Sequence, residues 1–229
     1  MSSSTIYNSE FLGHVSGRLA DFLAECESLV FVPYALSDWD SYTARVRHAL
    51  AGTCDVVGAH TVPAEECAGA AAFFVGGGNT FRLLRVLDDT GLLPVIRSAV
   101  AGGSAYLGAS AGTVVAGPTI MTTNDMPIVE PRSFGSLGLV GFQLNCHFLD
   151  SPPGPRSYMA ETREERLEQF LEENDREVVC LREPAWLEID GQTARVCGEG
   201  GGRLYRRDAE PRELATGETS HSLETWCAT

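Results

Sequence analysis

The sequence predicts a three-layer α/β protein: a mainly parallel sheet with helices on both faces, and antiparallel hairpins near the C-terminus. Three observations carry that expectation. Short apolar runs recur along most of the chain and are apolar throughout rather than alternating, as in parallel strands buried on both faces. Stretches with apolar residues at helical spacing lie between them, which is the texture of a wound α/β sheet. After Trp186 the pattern breaks into brief runs separated by glycine turns, as in hairpins.

Each element has its own justification. Strands are expected at 28–33 (SLVFVP), 54–58 (CDVVG), 71–75 (AAFFV), 104–108 (SAYLG), 142–147 (FQLNCH) and 177–181 (EVVCL), each closed by turn residues. Helices are expected at 41–51, 80–90, 93–101 and 162–173. The last opens on Thr162 with Glu165 three residues later, which is a capping box. In the tail, Asp190-Gly191 and the run Gly198–Gly202 read as turns. The opening MSSSTIYNSEF is polar, so an initial strand would be short or displaced. No internal repeat is present, and 229 residues suit one domain spanning 1–229.

Composition excludes several chemistries. All seventeen basic residues are arginine, against thirty-one acidic ones, for a net charge of −14. Without lysine there is no Schiff base, no Ser–Lys dyad and no P-loop lysine. The acidic balance disfavours nucleic acid and anionic membranes as partners. Seven cysteines without a CxxC pair fit reduced thiols and a cytoplasmic location. The N-terminus lacks the charged and apolar regions of a signal peptide, and no apolar run is long enough to cross a membrane.

Gly108-Ala109-Ser110-Ala111-Gly112 is a G-x-S-x-G match between an expected strand and a helix-compatible stretch, the context of a nucleophile elbow. Alone it could be a small-residue helix start capped by its serine. The loop Gly76-Gly77-Gly78-Asn79-Thr80 also follows a strand and opens a helix. Backbone N–H groups of Gly77 and Gly78, with that of Ala111 after the serine, could form an oxyanion hole; a tight capped turn is the alternative. Of the five histidines, His147 at a strand's carboxyl end is the candidate base, whereas His14, His48, His60 and His221 suit surface roles. Cys146 is a poor nucleophile for it, because adjacent strand residues point to opposite faces. Asp125 and Glu183 both stand as candidates for the orienting acid.

VGGGNTFRLL, GASAG, PTIMTTNDMPIVEP, NCHF and AETREERLEQFL, in this order, resemble peptidase E, the aspartyl dipeptidase family of serine peptidases. The likeness runs from about Leu29 to Trp186. It implies a fold similar to class I glutamine amidotransferases and metal-free hydrolysis of dipeptides with N-terminal aspartate, with no cofactor. Carried over, Ser110 is the nucleophile, His147 the base, and Asp125 or Glu183 the acid. Asn79 falls in the family's GGGN loop as a substrate-binding candidate. Arg163, in the Thr-Arg-Glu segment, is the candidate for the substrate β-carboxylate, which a guanidinium fork grips bidentately. The alternative for Arg163 is an ion pair with Glu164 or Glu165 at a helix start. The Pro-rich stretch 150–156 departs from the family pattern beside the specificity side. A homodimer would follow from the resemblance alone. The competing readings are a cyanophycinase-like or broader serine peptidase, an α/β-hydrolase esterase that lacks its HGGG loop, and a non-catalytic binder of a small ligand.

Overall fold

A computed structural model describes residues 1–151 and 159–220. Four short strands, β1 (Ser28–Val32), β2 (Asp55–Gly58), β3 (Ala72–Val75) and β4 (Ala105–Gly108), pair in parallel in the order β2-β1-β3-β4. Their alternate side chains explain why each run is apolar throughout. Val30, Val32, Phe73 and Val75 pack on one face against α3 (Thr80–Asp89) and α4 (Leu92–Ala101), through Leu83, Leu84, Leu87 and Ile96. Leu29, Phe31 and Phe74 pack on the other face against α1 (Ser16–Phe22) and α2 (Trp39–Ala49), through Leu19, Tyr42 and Val46.

The rest of the chain builds β5 (Gln143–Asn145), β6 (Val178–Leu181), β7 (Trp186–Asp190), β8 (Thr193–Cys197), β9 (Gly202–Tyr205), β10 (Arg212–Leu214) and β11 (Thr219–Ser220). β5 and β6 are parallel, and β9 and β10 continue that sheet antiparallel in the order β10-β9-β6-β5. The hairpin β7–β8 turns at Gly191, whose φ of 53° suits glycine, and β11 completes a small third sheet. Helix α6 (Arg163–Glu173) packs Leu167 and Leu171 on Val178 and Cys180. Its capping box forms as expected: Thr162 Oγ1 accepts from Glu165 N–H at 3.1 Å and the Glu165 carboxylate accepts from Thr162 N–H at 2.7 Å.

Three features differ from the sequence expectation. The strands form three sheets rather than one, and the polar segment Met1–Ser3, buried and not a strand, runs between the first two. Helix α2 starts and ends two residues earlier than its apolar spacing suggests, because Asp38 caps it by accepting from Ser41 N–H at 3.0 Å. The helix after Ser110 is a single turn, α5 (Ala111–Val114), with Gly117-Pro118 only two residues beyond its end. It contributes free N–H groups rather than a long macrodipole. Most of the Pro-rich stretch 150–156, together with His221 and Cys227, lies outside the described residues.

Candidate active site

Strand β4 can turn into α5 only because both flanking residues of GASAG are glycine. A Cβ on Gly112 would stand 1.9 Å from Val75 O, and one on Gly108 would stand 2.6 Å from Gly112 O. Ser110 between them is forced to φ 51° and ψ −111°, a backbone state that side-chain-bearing residues rarely adopt. Hydrogen bonds hold it there. Ser110 N–H donates to Met1 O at 3.1 Å, and Ser110 O accepts from the N–H groups of Thr113 and Val114.

His147 lies two residues beyond β5, also at positive φ (54°). Its backbone N–H donates to Ser2 Oγ at 2.9 Å, and Asn124 Nδ2 donates to the preceding carbonyl of Cys146 at 2.8 Å. The imidazole Nε2 is 2.7 Å from Ser110 Oγ, while Nδ1 is hydrogen-bonded to Glu183 Oε1. With Nδ1–H donating to the carboxylate, Nε2 is left to accept the serine proton. Glu183 follows β6, next to Arg182, whose guanidinium is gripped by Asp150 (2.6 and 2.9 Å) and Glu213. Ser110, His147 and Glu183 therefore form one continuous hydrogen-bonded chain.

Asp125 is not part of that chain. Its Oδ2 accepts from Thr80 N–H at 2.7 Å and from Thr80 Oγ1 at 2.5 Å. Helix α3 leaves its first N–H groups without partners, and they draw the carboxylate to the glycine loop rather than to the imidazole. Two other candidates are corrected in the same way. Gly77 N–H is already spent, donating to Tyr42 Oη at 2.9 Å. Both ends of the Asn79 side chain are committed as well, Oδ1 accepting from Arg82 N–H at 3.0 Å and Nδ2 donating to Met126 O at 2.8 Å. By contrast, the N–H groups of Gly78 and Ala111 have no acceptor among the described residues. Gly78 has φ 137°, and a Cβ there would meet Ala35 O at 2.6 Å, so the loop at this point needs glycine.

Arg163 makes neither of the pairs its position suggested. Glu164 is taken by Arg203 at 2.8 Å and Glu165 by the helix cap. The Arg163 Nη1 atom is buried with no acceptor, and burial, reinforced by the nearby charge of Arg166, pushes the guanidinium below its ordinary range; Glu183 acts in the opposite direction. A half-buried guanidinium whose Nη1 has no acceptor among the described residues, within Coulombic reach of Glu183, can receive an anionic ligand. Cys146 is buried, and its thiol is pushed up to about 11 by that burial, so it remains protonated and inert. His14 is half-buried rather than on the surface, with an unpartnered Nδ1 and burial lowering its pKa, and His60 bonds Asp40 at 2.9 Å. The sequence marks no role for Ser2 or Tyr42 and offers Thr80 only as a turn cap; all three are buried residues whose polar groups work in tertiary contacts. Nothing local in SSST or WDSYT marks the first two.

The model of peptidase family S51 matches residues 1–197. The chain belongs to peptidase family S51. Among S51-like relatives, it is 53% identical over 226 residues to a Streptomyces coelicolor protein named peptidase E, covering 97% of this chain and 93% of that one. A Drosophila melanogaster protein named probable alpha-aspartyl dipeptidase is 45% identical, covering 94% and 92% of the two chains. Two solved structures share the fold at low identity. One is a peptidase from an acI-B1 actinobacterium (TM-score 0.66, 16% identity, 90% and 91% covered). The other is a putative peptidase E from Listeria monocytogenes (TM-score 0.55, 20% identity, 90% and 96% covered). The expectation of a serine-type dipeptidase stands with the S51 family and with the names of these relatives. No helix among the described residues is long and apolar enough to cross a membrane.

Proposed function

We propose that this S51 chain hydrolyses dipeptides with N-terminal aspartate through an acyl-enzyme on Ser110. The observation that carries the reading is the unbroken chain Ser110 Oγ–His147 Nε2 and His147 Nδ1–Glu183 on a glycine-built elbow. His147 takes the serine proton as Oγ attacks the scissile carbonyl, and Glu183 holds the tautomer and supports the imidazolium. The free N–H groups of Gly78 and Ala111 stabilise the oxyanion of the tetrahedral intermediate. His147 then protonates the leaving amine, and water, deprotonated by the same ring, releases aspartate. A triad activates its nucleophile by proton transfer, so the reaction needs no metal or cofactor.

Arg163 selects the substrate, its half-buried guanidinium donating bidentately to the β-carboxylate. The names of the relatives support the same substrate class. In this reading residues 1–229 act as one catalytic domain. The six free cysteines among the described residues suit a reducing cytoplasm. The test is turnover of Asp-X, Asn-X and Glu-X dipeptides and of a β-aspartyl-arginine polymer, with Ser110→Ala as control. Hydrolysis of Asp-X foremost, abolished in a folded Ser110→Ala protein, is the expected result. Preferred cleavage of the polymer, or aspartate binding without turnover, would overturn it.

A further inference from the structure

The segment Thr122-Thr123-Asn124-Asp125-Met126-Pro127 is tied into the site at both ends, yet the triad uses none of its side chains. At one end Asn124 Nδ2 donates to Cys146 O, next to His147, and Asn145 Nδ2 donates to Thr122 O at 2.7 Å. At the other end four hydrogen bonds fasten it to the loop that precedes α3. Asp125 accepts from Thr80 N–H and Thr80 Oγ1, Thr123 Oγ1 bonds Thr80 Oγ1 at 3.0 Å, and Asn79 Nδ2 donates to Met126 O. Thr80 is nearly fully buried. The clasp, whose Thr80–Asp125 bonds span 45 residues of sequence, therefore joins the histidine turn to the glycine loop.

We propose that Asp125 is a positioning residue for the oxyanion hole: by clamping Thr80 it fixes the Gly78 N–H against the carbonyl attacked by Ser110. This rests on the triad reading above. That donor is held only through its neighbours. Gly78 is at positive φ, has no side chain, and makes no backbone hydrogen bond of its own among the described residues. It is anchored from before by Gly77 N–H on Tyr42 Oη and from after by Asn79 N–H on Ala35 O and the Asp125–Thr80 pair. Charge explains the choice of a carboxylate. At the start of a ten-residue helix an anion interacts favourably with the helix dipole and accepts stronger hydrogen bonds than a neutral oxygen. Loss of the clasp leaves the donor in place covalently but free to drift, and an oxyanion donor must lie within a few tenths of an ångström of its target to work.

The experiment compares Asp125→Ala, Asp125→Asn and Glu183→Gln with the parent enzyme on an Asp-X dipeptide across pH. A full oxyanion donor is worth about 10²- to 10³-fold in kcat, so a displaced one should cost Asp125→Ala about 10- to 100-fold. KM should stay within about threefold, because the ground-state carbonyl barely uses the donor. The acidic limb of the kcat/KM profile, which reports the histidine, should be unmoved in Asp125→Ala but lost or shifted in Glu183→Gln. Asp125→Asn keeps an acceptor oxygen and should recover most of the activity. Should Asp125→Ala fail to fold, Thr80→Val removes both hydroxyl bonds, to Asp125 and from Thr123, keeps the Thr80 N–H on Asp125, and should lower kcat about three- to tenfold with KM unchanged. An Asp125→Ala enzyme within twofold of the parent kcat overturns the proposal. So does an Asp125→Asn enzyme as inactive as Asp125→Ala with a displaced acidic limb, which would make Asp125 the triad acid. Loss of activity in Ser110→Ala but not in Glu183→Gln would instead overturn the triad assignment itself.

Discussion

The two halves of the site are held by different kinds of force. The nucleophile half, on β4 and α5, is fixed chiefly by sterics: Gly108 and Gly112 admit the turn, and a Cβ on either would collide with backbone. The acid–base half, on the ends of β5 and β6, is fixed by tertiary hydrogen bonds, with His147 N–H on Ser2 and Glu183 beside the Arg182–Asp150–Glu213 cluster. A locally built element keeps its geometry when distant residues change. A tertiary one is tunable, and its failure shows in catalysis before it shows in folding. Substitutions that reach only the second half should therefore lower kcat while leaving the elbow intact.

The largest such effect is expected from Glu183→Gln. Replacing the orienting carboxylate leaves the imidazole in the wrong tautomer, and kcat should fall about 10⁴-fold with little change in thermal unfolding. Steady-state kinetics and a melting curve check this together. A loss under tenfold would place the orienting role elsewhere.

Next in size, Arg163→Met should lower kcat/KM for Asp-X about 10- to 150-fold, the worth of a charge-assisted hydrogen bond of about 1.5–3 kcal/mol. Activity on Asn-X should change little, so the ratio of the two substrates is the decisive reading. Equal losses on both would mean that Arg163 supports the fold of α6 rather than recognising the β-carboxylate.

A smaller effect should follow Ser2→Ala. Ser2 Oγ accepts from His147 N–H and donates to Leu181 O at 3.0 Å, so it ties the base-bearing turn to the strand that carries the acid. Leaving a buried N–H unsatisfied costs about 1–3 kcal/mol, and kcat should drop about 5- to 100-fold. Ser2→Thr, which keeps the hydroxyl, should rescue most of it. Finally, native protein treated with iodoacetamide at pH 8 should keep full activity. Burial pushes the Cys146 thiol up to about 11, so its reactive thiolate is scarce at that pH. Peptide mapping should find Cys146 modified only after unfolding.

The same contrast explains what the sequence disclosed. GASAG, the apolar runs and the Thr162–Glu165 box are local patterns, and each formed close to where it was expected. The strands of the first half, whose neighbours are set by short loops and both-sided burial, were legible in the same way. The role of Ser2 was not, because the partners of its hydroxyl lie more than 140 residues away. Asp125 and Glu183 could not be told apart for a related reason. Both follow chemistry-bearing segments, and only the competition between a helix N-terminus and an imidazole decides which carboxylate goes where. Gly77 and Asn79 looked like ligands for substrate because their loop did, while Tyr42 and Met126, remote in sequence, had already taken their donors. The lack of lysine held its meaning throughout: an acidic substrate leaves only arginine to receive it, and Arg163 is the one whose buried Nη1 has no acceptor among the described residues.

The central claim is covalent catalysis by Ser110, and trapping the intermediate tests it most directly. An aspartyl ester or anilide with a fast leaving group, quenched in acid within the first turnovers, should leave one aspartyl group per chain. Mass spectrometry of the digest should place it on the peptide containing Ser110, and it should be absent from Ser110→Ala. An adduct on another residue, or undiminished turnover by Ser110→Ala, would contradict the account.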